Sequence, residues 1–203
     1  MLQVDEMLQV DEMLQVDEIL DFWFGRKEEI DYGKNRTIWF AKDPKFDREI
    51  QIRFQKDYWK AAMGKLDHWK ETPESCLALI ILLDQFPRNM FRGHPQTYAT
   101  DPQALSLAHY AVATGFDQKL PSIHRWFIYL PFEHSENLND QRRSVELFSK
   151  LGNDPDSLYI TSSAVRHLEI IERFGRFPHR NNILCRTTTP EEAEFLKQPG
   201  SSF

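Results

Sequence analysis

Apolar positions recur at helical spacing along most of the chain. A helix advances about 100° per residue, so neighbours three or four apart return to one side. Phe46, Ile50, Phe54 and Ala61 share such a face, with Asp57 among them. Ala104, Leu107, Ala108, Ala111 and Val112 mark a second, and Ala164, His167, Leu168, Ile171 and Phe174 a third. The stretch from Leu77 to Leu83 is apolar all round. It predicts a central buried helix, although so short a run could equally be a strand.

Five dipeptides announce helix starts: Asp43-Pro44, Thr72-Pro73, Asp101-Pro102, Asp154-Pro155 and Thr189-Pro190. An Asp or Thr side chain accepts from an orphan backbone N–H, and proline at the first helical position gives up no hydrogen bond. Thr189 is followed three residues later by Glu192, which completes a capping box. No alternating β-branched run is closed by an Asn-Gly or Asp-Gly turn. These signals predict an all-α, single compact domain of about seven or eight helices in stacked antiparallel pairs. The even spacing of Pro44, Pro73 and Pro102 suggests stacked helical hairpins, without the tetratricopeptide consensus.

The N-terminus breaks this pattern. The unit MLQVDE occurs three times in succession. Six residues advance about 600°, so Leu2, Leu8 and Leu14 would face three different sides of a helix. From the third copy onward, Met13, Val16, Leu20 and Trp23 form a usable stripe, closed by Phe24. Residues 1–12 are therefore expected to be a repeated leader outside the fold, and residues 13–203 the helical domain. With no basic n-region and seven acids in the first 21 residues, the segment is no signal peptide.

Composition narrows the function classes. The 203 residues are 41% hydrophobic and 13% aromatic, enough for a substantial core. No apolar run reaches the roughly 18 residues that span a bilayer. Cys76 and Cys185 have no zinc or disulfide spacing, as expected of reduced thiols in a cytoplasmic protein. The net charge of −6 falls to about −2 without the four acids of the leader, which gives no bulk argument for nucleic-acid binding. Residues 1–85 hold four Arg and eight Lys, whereas residues 86–186 hold ten Arg and two Lys. Arginine suits planar, paired and partly buried contacts, so the second half is where specific polar chemistry is expected.

Four polar knots interrupt the apolar pattern there: 84–92, 130–136, 141–144 and 173–181. Asp84, at the end of the apolar run, would oppose the helix dipole and should be paired with an Arg. The first and last knots echo each other, Phe-Pro-Arg-Asn against Phe-Pro-His-Arg-Asn. Their Arg-Asn elbows are expected to face one cleft.

The motifs in these knots resemble a bacterial family. Phe22-Trp23-Phe24-Gly25, LLDQFPRNMFRG (82–93), YLPFEHSE (129–136), QRRSVELF (141–148) and RFGRFPHRN (173–181) are similar to the signatures of the domain of unknown function 924 family. The resemblance runs in order from about Met13 to about Leu196. It implies a compact, tetratricopeptide-like all-helical fold and no established activity.

The leading functional expectation is a helical scaffold that binds a small anionic ligand or an acidic peptide end, with neither nucleic acid nor membrane as partner. Arg88, Asn89, Arg92, Arg143, Arg176, Arg180 and Asn181 would line the cleft, with His134, Glu136 and His179 setting orientation. The rival is an enzyme. Asp84, His134 and Glu136 could work as a metal-free acid–base set, since histidine titrates near neutral pH. His134, Glu136, His167 and His179 could instead converge on a metal, although no His-Glu-x-x-His helix is present. A purely structural or protein-interaction role is the second alternative. No Gly-rich phosphate loop or nucleophile elbow appears, so no cofactor is expected.

Overall fold

The protein is represented by a computed structural model that describes the backbone of residues 2–202 and the side chains of residues 13–202. All regular structure among the described residues is helical. In chain order the α-helices are α1 (Leu2–Phe24), α2 (Pro44–Ala62), α3 (Pro73–Ile80), α4 (Phe86–Met90), α5 (Asp101–Ala113), α6 (Ser122–His134), α7 (Leu138–Ser149), α8 (Pro155–Phe174) and α9 (Pro190–Leu196). A π-helical turn, Ile81–Gln85, joins α3 to α4 in one rod from 73 to 90. Counting that rod once, eight α-helices are described.

The rod is the central helix that its apolar run predicted. Residues 76 to 83 are all buried, and α1, α2, α5 and α6 pack around it. From α5 to α8 each helix packs on its successor across a short connection. Trp23 sits at the focus of the core, fully buried, with Trp39, Phe46, Phe86 and Phe127 ring centroids 6.2, 5.9, 5.5 and 5.5 Å away. Burying one such side chain stabilises the fold by about 1.5–3 kcal/mol.

Four of the five expected caps form. Asp43 accepts from the amides of Lys45 and Phe46, Thr72 and Asp154 each from a serine amide, and Thr189 builds the capping box with Glu192. Asp101 is the exception: it is the first residue of α5 rather than its cap, and its carboxylate turns elsewhere. The α1 stripe also differs from expectation. Met13 is 67% exposed, and among the described side chains the buried face starts at Val16 and adds Ile19. The backbone of α1 continues through residues 2–12, but the expected leader's side-chain contacts lie outside the described residues.

Candidate functional site

Pro87 shapes the site from inside the central rod. It has no N–H, so the carbonyl four residues back, Leu83 O, loses its helical partner. The Thr100 hydroxyl donates to that oxygen at 2.6 Å. The next carbonyl, Asp84 O, accepts from Arg88 at 2.5 Å. The helix widens into its π turn over these residues, and π turns in α-helices occur often at functional sites. Asp84 lies in the turn with no exposed surface.

His134 reaches Asp84 from the last residue of α6. Its Nδ1 lies 2.8 Å from Asp84 Oδ1, while Gln85 Nε2 donates to Oδ2 at 2.6 Å. Arg88 stands 3.3 Å from the same carboxylate and donates through both terminal nitrogens to Asp101, at 2.9 and 3.1 Å. Arg180 closes the group from the short turn Pro178–Arg180. It donates to the backbone oxygen of His134 at 3.0 Å and lies 3.5 Å from Asp101 Oδ2. Its guanidinium is sandwiched between the rings of Tyr98 and Phe177, 4.5 and 4.6 Å from their centroids. Gly175, in the left-handed region at φ 68°, ends α8 and turns the chain toward this arginine; a side chain there would be strained.

Glu136 extends the network. It accepts from the Phe177 amide at 2.8 Å and from Arg186 at 2.7 and 3.0 Å. The cluster then holds Asp84, Asp101 and Glu136 against Arg88, Arg180 and Arg186, three charges of each sign. It is a balanced network rather than an excess of positive charge.

These contacts set the protonation states. Burial alone would raise the Asp84 carboxyl, but the charges of Arg88 and then His134 outweigh it and hold it down to about 2. Asp84 is thus an acceptor at neutral pH, and the proton between it and His134 belongs to Nδ1. Burial pushes the His134 imidazolium down, Arg88 pushes it further, and Asp84 offsets this only in part. The neutral ring therefore carries its lone pair on Nε2. That atom has no partner among the described residues and is not sealed from solvent; the side chain as a whole is 14% exposed. For Glu136, burial raises the carboxyl, but the Arg186 and Phe177 hydrogen bonds prevail and lower it.

The remaining candidates go to other places. The two elbows share their arginines but not their asparagines. Asn89 donates to Asp47 at 2.8 Å, and Arg92 forks onto the same carboxylate at 2.6 and 2.9 Å, which ties α4 to the start of α2. Asn181 instead donates to Glu192 at 3.2 Å, beside the Arg176 fork to Glu192 at 2.6 and 2.8 Å, which fastens α9. Arg143 pairs with Glu146 on the exposed side of α7. His167 lies within α8, 3.0 Å from the buried carboxylate of Glu133 and edge-on to Phe177. His179 also packs on Phe177, and burial, then Arg180 and His167, drive its ring down to about 3. The four metal candidates thus do not gather, and no cluster of three or more His, Cys, Asp or Glu fit to hold a metal occurs among the described residues. Burial raises the Cys76 thiol to about 12, so it stays protonated.

Three members of the network escape a reading of the sequence. Asp101 is disguised as a cap by the proline after it, while Tyr98 and Arg186 stand in no motif.

A helical body with a carboxylate-held histidine at the edge of a buried ion network is the class that fold and site define. The chain belongs to the family described as bacterial protein of unknown function (DUF924), whose pattern matches residues 19–200. Among solved structures it is similar to a protein of unknown function from Agrobacterium tumefaciens, with 43% sequence identity and a TM-score of 0.80. The similarity covers 91% of this chain and 98% of that one. None of the curated proteins matches. No helix among the described residues is long and apolar enough to cross a membrane.

Proposed function

We propose that the protein is an acid–base enzyme in which His134 Nε2 takes a proton from water or from a small polar substrate. The observation that carries this reading is the 2.8 Å contact between Asp84 and His134 Nδ1. A buried, ionised carboxylate fixes the tautomer and the ring, and it stabilises the imidazolium once the proton arrives. Arg88 and Arg180 flank the dyad, held there by Asp101, and would stabilise negative charge that develops during reaction. A balanced network is poorly suited to trapping a resting anion, so the reading places the arginines in catalysis rather than in ground-state capture.

The test is a panel of esters, lactones, amides and phosphoesters assayed with the wild type, His134→Ala and Asp84→Asn. General acid–base catalysis by a positioned side chain contributes about 10²–10⁴-fold. At least one activity should fall by that order in His134→Ala and have the acid limb of its pH profile displaced in Asp84→Asn. Activity indifferent to His134, or none in any class, defeats the reading.

A second reading, a purely structural network, is favoured by Asp101, which occupies both converging guanidinium groups. It predicts that both variants lose stability while no catalysed reaction is found.

A further inference from the structure

A separate cavity of about 210 Å³ opens between the end of α5, the turn Asp117–Lys119, α6 and α7. That is room for about seven waters at roughly 30 Å³ each, smaller than the roughly 300 Å³ of a drug-sized pocket and suited to a ligand of few heavy atoms. Val112, Leu147 and Leu151 supply apolar wall, and Arg125, Arg143 and Lys150 supply cations. Leu147 lies on the buried side of α7, whereas Arg143 and Lys150, one turn before and one turn after, reach toward solvent, with 38% and 64% of their side chains exposed. The helix thus presents an apolar body and a cationic rim to one space.

Asp117 supplies the opposite sign. It lines the same cavity and is only 2% exposed. Its Oδ2 accepts from the Tyr129 hydroxyl at 2.7 Å and from Gln118 at 2.6 Å. Its Oδ1 has no partner among the described residues and yet is not sealed from solvent. No Lys or Arg lies within ion-pair distance of it among the described residues. A buried carboxylate normally has a cation beside it. Asp117 thus lines the space that a ligand would fill, with one of its oxygens unengaged among the described residues.

We propose that this cavity binds a small zwitterion, a free α-amino acid with an aliphatic side chain. The ammonium group would donate to Asp117 Oδ1, the carboxylate would meet Arg143 and Lys150 at the rim, and the side chain would lie on Val112, Leu147 and Leu151. Arg143 and Lys150 both hold Glu146, at 2.6 Å each, so the arriving carboxylate exchanges with an exposed side chain rather than with a buried one. This site shares no residue with the Asp84–His134 dyad, so each stands or falls without the other.

Calorimetric titration of the full chain with L-leucine tests the proposal. Saturable binding is expected, weakened about ten- to a hundredfold in Asp117→Asn and in Arg143→Gln, the range of a lost hydrogen bond to a charged group. His134→Ala should bind as the wild type does, and so should Arg142→Gln, whose exposed arginine lies 3.7 Å from Glu172 and lines no part of the cavity. On the wild type, 4-methylvalerate, which lacks the ammonium, and isopentylamine, which lacks the carboxylate, should each bind at least about tenfold more weakly. Equal binding of either analogue overturns zwitterion recognition, and no saturable heat at millimolar L-leucine overturns the site. Should Asp117→Asn fail to fold, the analogue series and the Arg143→Gln variant decide the matter alone.

Discussion

Asp101 accepts two hydrogen bonds from Arg88, at 2.9 and 3.1 Å, and so anchors the start of α5 to the end of the central rod. Arg180 approaches the same carboxylate at 3.5 Å. Asparagine caps a helix as well as aspartate does, so Asp101→Asn would be nearly silent if capping were the residue's role. With two guanidinium groups depending on it, the substitution leaves partly buried like charges facing each other. A loss on the order of 3 kcal/mol is expected, or roughly 6–12 °C in Tm for a domain of this size. Thermal and urea denaturation of the variant measure it.

His134 should be neutral at pH 7, with the proton on Nδ1 and the lone pair on Nε2. Long-range ¹⁵N–¹H correlation spectra read the two nitrogens directly. In Asp84→Asn the ionised acceptor is gone, and the fixed tautomer should be lost with it. Activity that needs the neutral base is full above the His134 pKa and disappears as pH falls through it. Since burial and Arg88 hold that pKa below 6.5, activity should persist into mildly acidic solution.

His124 provides an acid-stability prediction. It is 5% exposed, its ring stacks on Phe24 at 3.9 Å, and burial pushes its pKa down to about 4. The unfolded chain binds a proton at this residue below about pH 6.5, and the folded chain does so only near pH 4. Stability therefore declines as pH falls through that window, by up to about 3 kcal/mol from this residue. His124→Phe keeps the stacked ring and removes the titration. Its unfolding free energy should vary less between pH 7 and pH 4 than that of the wild type.

Glu192 fastens the last helix, which gives a second acid-stability test in a lower pH window. It receives the Arg176 fork and the Thr189 amide; the Arg176 bonds outweigh burial, and its pKa falls to about 2. The stabilisation is present above about pH 4.5 and is lost as pH falls toward 2. Glu192→Gln should cost about 1–3 kcal/mol at neutral pH. Hydrogen exchange should accelerate in α9 first, well before the core of α3 and α6.

Removal of residues 1–12 is expected to change Tm by less than about 2 °C, the equivalent of under about 1 kcal/mol. Among the described side chains, the buried face of α1 that anchors it to the core begins at Val16. A larger shift in a melting scan would show that the repeat carries packing of its own.

Much of the architecture was legible before any coordinates. The helical spacing on α2, α5 and α8, the Thr189–Glu192 box and the central position of residues 77–83 depend on neighbours within one or two turns. All five Asp-Pro or Thr-Pro dipeptides mark helix starts, and four of them cap as read, for the same reason. Asp101 failed because its competing partner, Arg88, is thirteen residues away and on another helix. The pairing of Asp84 with an arginine was foreseeable from the helix dipole, but its pairing with His134, fifty residues on, was not.

By itself, then, the sequence determined what short-range physics determines: that the chain is helical, where helices start, and which faces turn inward. Only the tertiary structure decided which charges meet. Arg88 and Arg180 share one carboxylate, Asn89 and Asn181 turn to different ones, and Arg143 lines another cavity altogether. The reason lies in the reach of the forces. Caps and helix faces act over a few residues of backbone, whereas an ion pair forms between whatever groups the packed helices bring within about 4 Å, however far apart they stand in the chain.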